Sequence, residues 1–222
     1  MTPPVGSDAV AGTSAAPAVP RLLVLTDHTL VPPGSSLVDT VAAAVAGGAR
    51  GLVLREKDLP HAERAALAAQ LAVVLAPVAG VLLVASDPTI PADGVHLAAG
   101  DPMPTGDRRP ALVGRSCHTV EEVRAAAAAG CDYVTLSPVF ASRSKPGYGP
   151  AVAVGQLGLA QASVPIPVVA LGGIGPGEAR ALHAVGHRHA AVLGAVMEAA
   201  DPAGTVADVL AALDGATLQE AT

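Results

Sequence analysis

Aromatic side chains are almost absent from this sequence: 222 residues contain no tryptophan, one phenylalanine and two tyrosines. The charge balance is acidic, with 13 Lys and Arg against 19 Asp and Glu, a net charge of −6 and a pI near 5.5. Without stacking rings or a basic footprint, nucleic acid is excluded as the main partner. Only two cysteines occur, Cys117 and Cys131, and their spacing is neither a CxxC metal pair nor a disulfide framework. That usage fits a reducing compartment, with both thiols acting as small buried apolar groups. Gly, Pro or charge interrupts every apolar run before the roughly 18 residues of a membrane span. The N-terminus lacks the basic stretch and continuous apolar core of a secretion signal. A soluble, cytoplasmic protein with no membrane partner is therefore expected, and the sequence leaves open whether it forms a homo-oligomer.

Residues 1–20 are rich in Ala, Pro, Ser and Thr and read as a disordered tail. Residues 21–214 are expected to form a single domain, followed by a short C-terminal tail at 215–222. With 51% hydrophobic residues and so few rings, the core must be built from Ala, Val and Leu, which suits close helix-on-sheet packing.

Eight short apolar runs carry the pattern: 21–26 (RLLVLT), 51–55 (GLVLR), 81–85 (VLLVA), 94–97 (GVHL), 112–116 (LVGRS), 133–136 (YVTL), 167–171 (PVVAL) and 190–193 (AAVL). Helical spacing is seen at 36–46, 61–76, 120–129, 152–162, 177–185 and 205–213. Thr119 supplies an N-cap, with Glu121 and Glu122 in the following turn. Runs apolar on both faces are those of a parallel sheet covered on both sides. Eight of them in strict alternation with helices predict an α/β fold, a (β/α)8 TIM barrel, with a doubly wound sheet as the rival.

A barrel concentrates its chemistry at the C-terminal strand ends. After the second run stand Arg55, Glu56, Lys57 and Asp58, and strand alternation puts Arg55 and Lys57 on one side. Ser86 and Asp87 follow the third run and Asp101 the fourth, two carboxylates able to share Mg2+ with a phosphorylated ligand; the plainer reading is a pair of surface acids. Ser116, Cys117 and His118 follow the fifth. After the sixth, residues 133–150 (YVTLSPVFASRSKPGYGP) bring Ser142, Ser144 and Lys145 into an anion-binding outline, for which a solvated loop is the bland alternative. Gly172 and Gly173 after the seventh run, with Leu193 and Gly194 after the eighth, present backbone N–H groups where barrels hold phosphate. Two anion sites emerge, one glycine-lined and one cationic. Of the histidines, His28 follows the first run, His96 reads as a satisfied core residue, and His61, His183, His187 and His189 read as surface positions with no zinc-site spacing.

The ordered series LREKD (54–58), SD (86–87), GVHL with Asp101, GRSCHTVEEV (114–123), DYVTLSPVFASRSK (132–145), PVVALGGI (167–174) and GAVMEAADP (194–202) resembles the thiamine phosphate synthase and TenI family. The resemblance spans about residues 22 to 213. It implies a transferase of thiamine biosynthesis that joins hydroxymethylpyrimidine diphosphate to thiazole phosphate with Mg2+ as cofactor. It further implies that Arg55 and Lys57 bind the pyrimidine diphosphate, Asp87 and Asp101 ligate Mg2+, Ser116 touches the pyrimidine and Lys145 holds the leaving pyrophosphate. Ser142, Ser144, Gly173, Leu193 and Gly194 would surround the thiazole phosphate. Two positions depart from the family pattern: Val53 stands where synthases carry Gln, and Ser86 where they carry Asn. TenI-type thiazole tautomerases also alter the glutamine position and use a histidine at the place of His118. An isomerase acting through His118, or a non-catalytic sensor of the same metabolites, is thus the alternative to the synthase.

Overall fold

The computed structural model describes residues 17–106, 109–141 and 154–216. Eight parallel strands close into one barrel in sequence order: β1 (Leu22–Leu25), β2 (Gly51–Leu54), β3 (Val81–Ala85), β4 (Gly94–Leu97), β5 (Leu112–Cys117), β6 (Tyr133–Leu136), β7 (Val168–Leu171) and β8 (Ala190–Val192). Closure is the pairing of β1 with β8, Leu23 opposite Ala191. The expected barrel is therefore present and the doubly wound rival is not.

Around it lie α1 (Leu37–Ala46), α2 (His61–Leu75), α3 (Val120–Ala128), α4 (Val154–Ala162), α5 (Pro176–Ala184), α6 (Gly194–Met197) and α7 (Pro202–Asp214). Ser36 and Thr119 cap α1 and α3 by accepting N–H bonds from Asp39 and Glu122. The strict alternation expected from the sequence fails in two places. Among the described residues no α-helix lies between β3 and β4 or between β4 and β5, where Gly, Pro and Asp break helical periodicity. The four-residue α6 was not foreseen, being shorter than any periodic signal.

Strand alternation sorts the core into two layers. Leu22, Val24, Leu52, Leu54 and their equivalents pack outward under the helices. Leu23, Leu25, Val53, Val81, Leu83, Ala85, Leu112, Tyr133, Val169 and Ala191 fill the barrel. In a chain so poor in rings, Tyr133 occupies this interior by lying over Gly114, where any Cβ would meet the phenol ring. Val19 packs on the inner cluster, and Pro20 would contact a Cβ at Gly51, so the barrel's packing takes in residues ahead of the first strand. No helix among the described residues is long and apolar enough to cross a membrane. Cys117 and Cys131 are buried and unpaired, and burial pushes the Cys117 thiol up to about 12.

Candidate active site

Arg55 leaves the end of β2 under firm control. Its backbone N–H donates to the Oγ1 of buried Thr26 at 3.0 Å, and its guanidinium reaches Asp27 Oδ2 at 3.2 Å. Burial opposes ionisation of Asp27, but hydrogen bonds from Thr29 and Arg55 outweigh it and hold the carboxyl below its ordinary range. Arg55 then lines a cavity of about 420 Å3 together with Ser137, Gly172, Gly173, Leu193 and Gly194. The glycine-lined and cationic sites, separate in the sequence reading, therefore share a wall.

The glycine side is backbone by necessity. Gly173 has φ +63°, and a Cβ there would run into the carbonyl oxygens of Ala141 and Phe140. Carbonyls of this turn are occupied, since Val139 N–H donates to Leu171 O and Phe140 N–H to Gly172 O. Among the described residues the N–H groups of Gly173, Ile174, Gly194 and Ala195 donate to no backbone carbonyl, and all four residues line the cavity. Gly175 N–H is claimed by Glu178 Oε2 at 3.1 Å.

The opposite side is built from side chains. Asp101 Oδ2 accepts from Ala98 N–H at 2.7 Å. Burial would raise its pKa, but the neighbouring Ser86 hydroxyl, the Ala98 N–H and the charges of Lys57 and Arg115 hold it below the usual range. Arg115 fixes this loop by donating to the carbonyls of Ala98, Ala99 and Asp101 at 2.8 to 3.0 Å. Asp87 is engaged differently: Oδ1 accepts from Thr89, while Oδ2 lies 3.6 Å from Arg64 and 3.7 Å from His61 on α2. Of the two predicted metal carboxylates, Asp101 thus acts with Lys57 and Asp87 with α2. Ser86 between them has φ +57°, and its N–H donates to His96 O. The buried Ser86 Oγ lies close enough to Asp101 to favour its ionised form but makes no hydrogen bond of good geometry among the described residues.

Ser116 accepts or donates at 2.9 Å with His96 Nε2, whose Nδ1 meets the Tyr133 hydroxyl at 2.8 Å. His96 is a satisfied core residue, as expected. His118 is tied to Glu122 at the start of α3, through its N–H at 2.7 Å and Nδ1 at 3.3 Å. His187 corrects the sequence reading: it is 7% exposed, not a surface position, because the turn after α5 bends back, with His187 N–H donating to Leu182 O at 3.0 Å. Ser142, Ser144 and Lys145 lie outside the described residues.

Some contributions escaped sequence reasoning. Buried Glu56 accepts from His28 N–H at 3.0 Å and Nδ1 at 2.7 Å, a bond that raises the His28 pKa and joins the β1 and β2 ends. Together with Asp58 these are the group of three potential metal-ligating side chains within 4.8 Å among the described residues. Arg115 escaped as well, although a charge inside an apolar strand run was a visible signal.

Comparison with known proteins agrees with this geometry. Residues 22–196 match the thiamine monophosphate synthase family. The thiamine-phosphate synthase of Anaeromyxobacter dehalogenans is 38% identical over 190 residues, covering 82% of this chain and 85% of that one. That of Methanoculleus marisnigri is 36% identical, covering 81% and 89%. The solved thiamine phosphate pyrophosphorylase from Pyrococcus furiosus superposes with a TM-score of 0.76 at 27% identity, covering 88% of this chain and 96% of that one. With the barrel, the glycine turns and the ordered strand-end motifs all in place, the chain belongs to the thiamine monophosphate synthase family.

Proposed function

We propose that the protein is a thiamine phosphate synthase, a transferase joining hydroxymethylpyrimidine diphosphate to thiazole phosphate with release of pyrophosphate. The observation that carries this reading is the shared cavity, which Arg55 lines together with the Gly173, Ile174, Gly194 and Ala195 turns, whose N–H groups donate to no backbone carbonyl among the described residues. One phosphate on the backbone donors and one diphosphate on the cations are what the two substrates require.

The thiazole nitrogen forms a bond to the pyrimidine methylene as the methylene C–O bond breaks, its electron pair leaving with pyrophosphate. Negative charge grows on the leaving group, and Arg55, Lys57 and Lys145 stabilise it by fixed charge. No strong base is needed, so positioning supplies most of the acceleration. Asp27 and Thr26 keep Arg55 in place before substrate arrives. Ser116 meets the pyrimidine, while Ser142 and Ser144 join Gly172, Gly173, Leu193 and Gly194 around the thiazole phosphate.

The β3–β4 side fits a hard cation: its candidate ligands are all oxygens, and the orphaned Ser86 hydroxyl offers one more. Asp87 and Asp101 would hold Mg2+, which when bound neutralises charge on the diphosphate. Cytoplasmic location follows from the same reading.

The test is direct. Purified protein with both substrates and Mg2+ should form thiamine phosphate, and EDTA should abolish it. Absence of product, alongside thiazole isomerisation that His118→Asn removes, would replace the synthase with a tautomerase.

A further inference from the structure

Beneath the mouth lies a buried polar chain that the substrate contacts leave unexplained. Tyr133 is fully buried, stacked on His96 with ring centroids 5.6 Å apart. Its hydroxyl touches one partner among the described residues, His96 Nδ1 at 2.8 Å. Burial pushes the phenol pKa up, so the hydroxyl keeps its proton and has to spend it on Nδ1. His96 is buried, and its two ring nitrogens meet only the Tyr133 and Ser116 hydroxyls with no carboxylate among their hydrogen-bond partners, so the ring is neutral. A neutral ring that accepts at Nδ1 carries its proton on Nε2, and that N–H donates to Ser116 Oγ at 2.9 Å. The Ser116 proton is then left over. Thr135 Oγ1, paired with Ser116 across β5 and β6, does not take it, since that atom has no partner. Ser116 itself is half-buried near the C-terminal end of β5, the end of the barrel strands at which chemistry is carried.

We propose that Tyr133 and His96 are positioning residues that fix Ser116 as a hydrogen-bond donor, so that it recognises an in-plane acceptor of the substrate, such as a pyrimidine ring nitrogen, and not the substrate's amino group. The proposal rests on the synthase reading for the identity of the ring. The relay itself rests on the three side chains alone. It assigns specificity to a direction of donation: a ring whose acceptor is replaced by C–H leaves the Ser116 proton unpaired beneath the bound ring.

NMR of the imidazole nitrogens in the full wild-type chain reads the tautomer without any variant. The expected state is Nε2-protonated His96 throughout the neutral range. In Tyr133→Phe the preference should collapse, and the KM for the pyrimidine diphosphate should rise about tenfold while that for thiazole phosphate stays constant. A merely structural role would move both KM values together, and that result overturns the proposal. An Nδ1-protonated ring in the wild type overturns the relay whatever the protein turns over. A wild type that makes no product sinks the substrate reading and with it the pyrimidine end of the proposal.

Discussion

At the ends of β7 and β8 the barrel mouth is made of backbone, with Gly173 and Gly194 bringing peptide groups to the cavity surface. At the ends of β2 to β5 it is made of side chains, each held by another: Arg55 by Asp27, the Asp101 loop by Arg115, Ser116 by His96. The difference teaches where each side can be altered. Short of proline, no substitution removes a backbone donor; it can only be displaced by crowding. A side-chain donor can be deleted, and the size of the loss depends on the residue behind it.

The sharpest way to break this contrast is Gly173→Ala. At φ +63°, with Ala141 and Phe140 carbonyls where the Cβ would stand, the turn must shift. Turnover should fall by about a hundredfold or more and stability by ~1–3 kcal/mol, read by steady-state kinetics and thermal unfolding. Gly177→Ala is the control: it lies in α5 with nothing within 4 Å of its Cβ, so turnover should hold and stability should hold or rise slightly. Equal losses in the two variants would refute the crowding argument.

Asp101→Asn tests the side-chain side. Removing its charge should lower turnover by roughly a hundredfold, as weaker binding of the cation leaves the developing charge on the leaving group less well neutralised, and should shift the Mg2+ dependence to higher concentration. Full activity with an unchanged Mg2+ titration would end the metal assignment.

Acid separates the two structural histidines. His96 has its folded pKa depressed from 6.5 to about 4, so the unfolded chain binds a proton that the folded one refuses. Stability should therefore fall as pH drops from 6.5 toward 4, by about 3 kcal/mol in all. His28 has the opposite sign: its raised pKa contributes stability below its unfolded value that is lost as pH rises through the folded one. Denaturant midpoints across pH, with His96→Gln removing the acid slope, check the first; a slope that survives the substitution assigns it elsewhere.

Two smaller substitutions sharpen the departures from the family. Val53 is 1% exposed inside the barrel, beside Leu25 and Leu83. Val53→Gln should lower the KM for the pyrimidine diphosphate several-fold while costing ~1–3 kcal/mol if its amide finds no partner without substrate; an unchanged KM removes position 53 from recognition. Ser86→Asn should raise stability by roughly 0.5 kcal/mol, since asparagine adopts the left-handed conformation at φ +57° more readily than serine. An unaltered melting temperature would show that the turn is not strained.

Much of this was legible in the residues themselves. The eight apolar runs, the capped helices and the glycine turns are local signals, each written within a few neighbouring positions, and the order of strand-end motifs carried the family. Composition alone settled that the core would be aliphatic. What only the tertiary structure decided are the pairings made across the closed barrel. His28 meets Glu56 from 28 residues away, and His96 meets Tyr133 from 37 away. The Arg115 clamp, the merging of two anion sites at Arg55 and the burial of His187 are of the same kind. Their physical reason is register: closing β1 against β8 sets which inward side chains share a level, and no periodicity within one segment encodes that level.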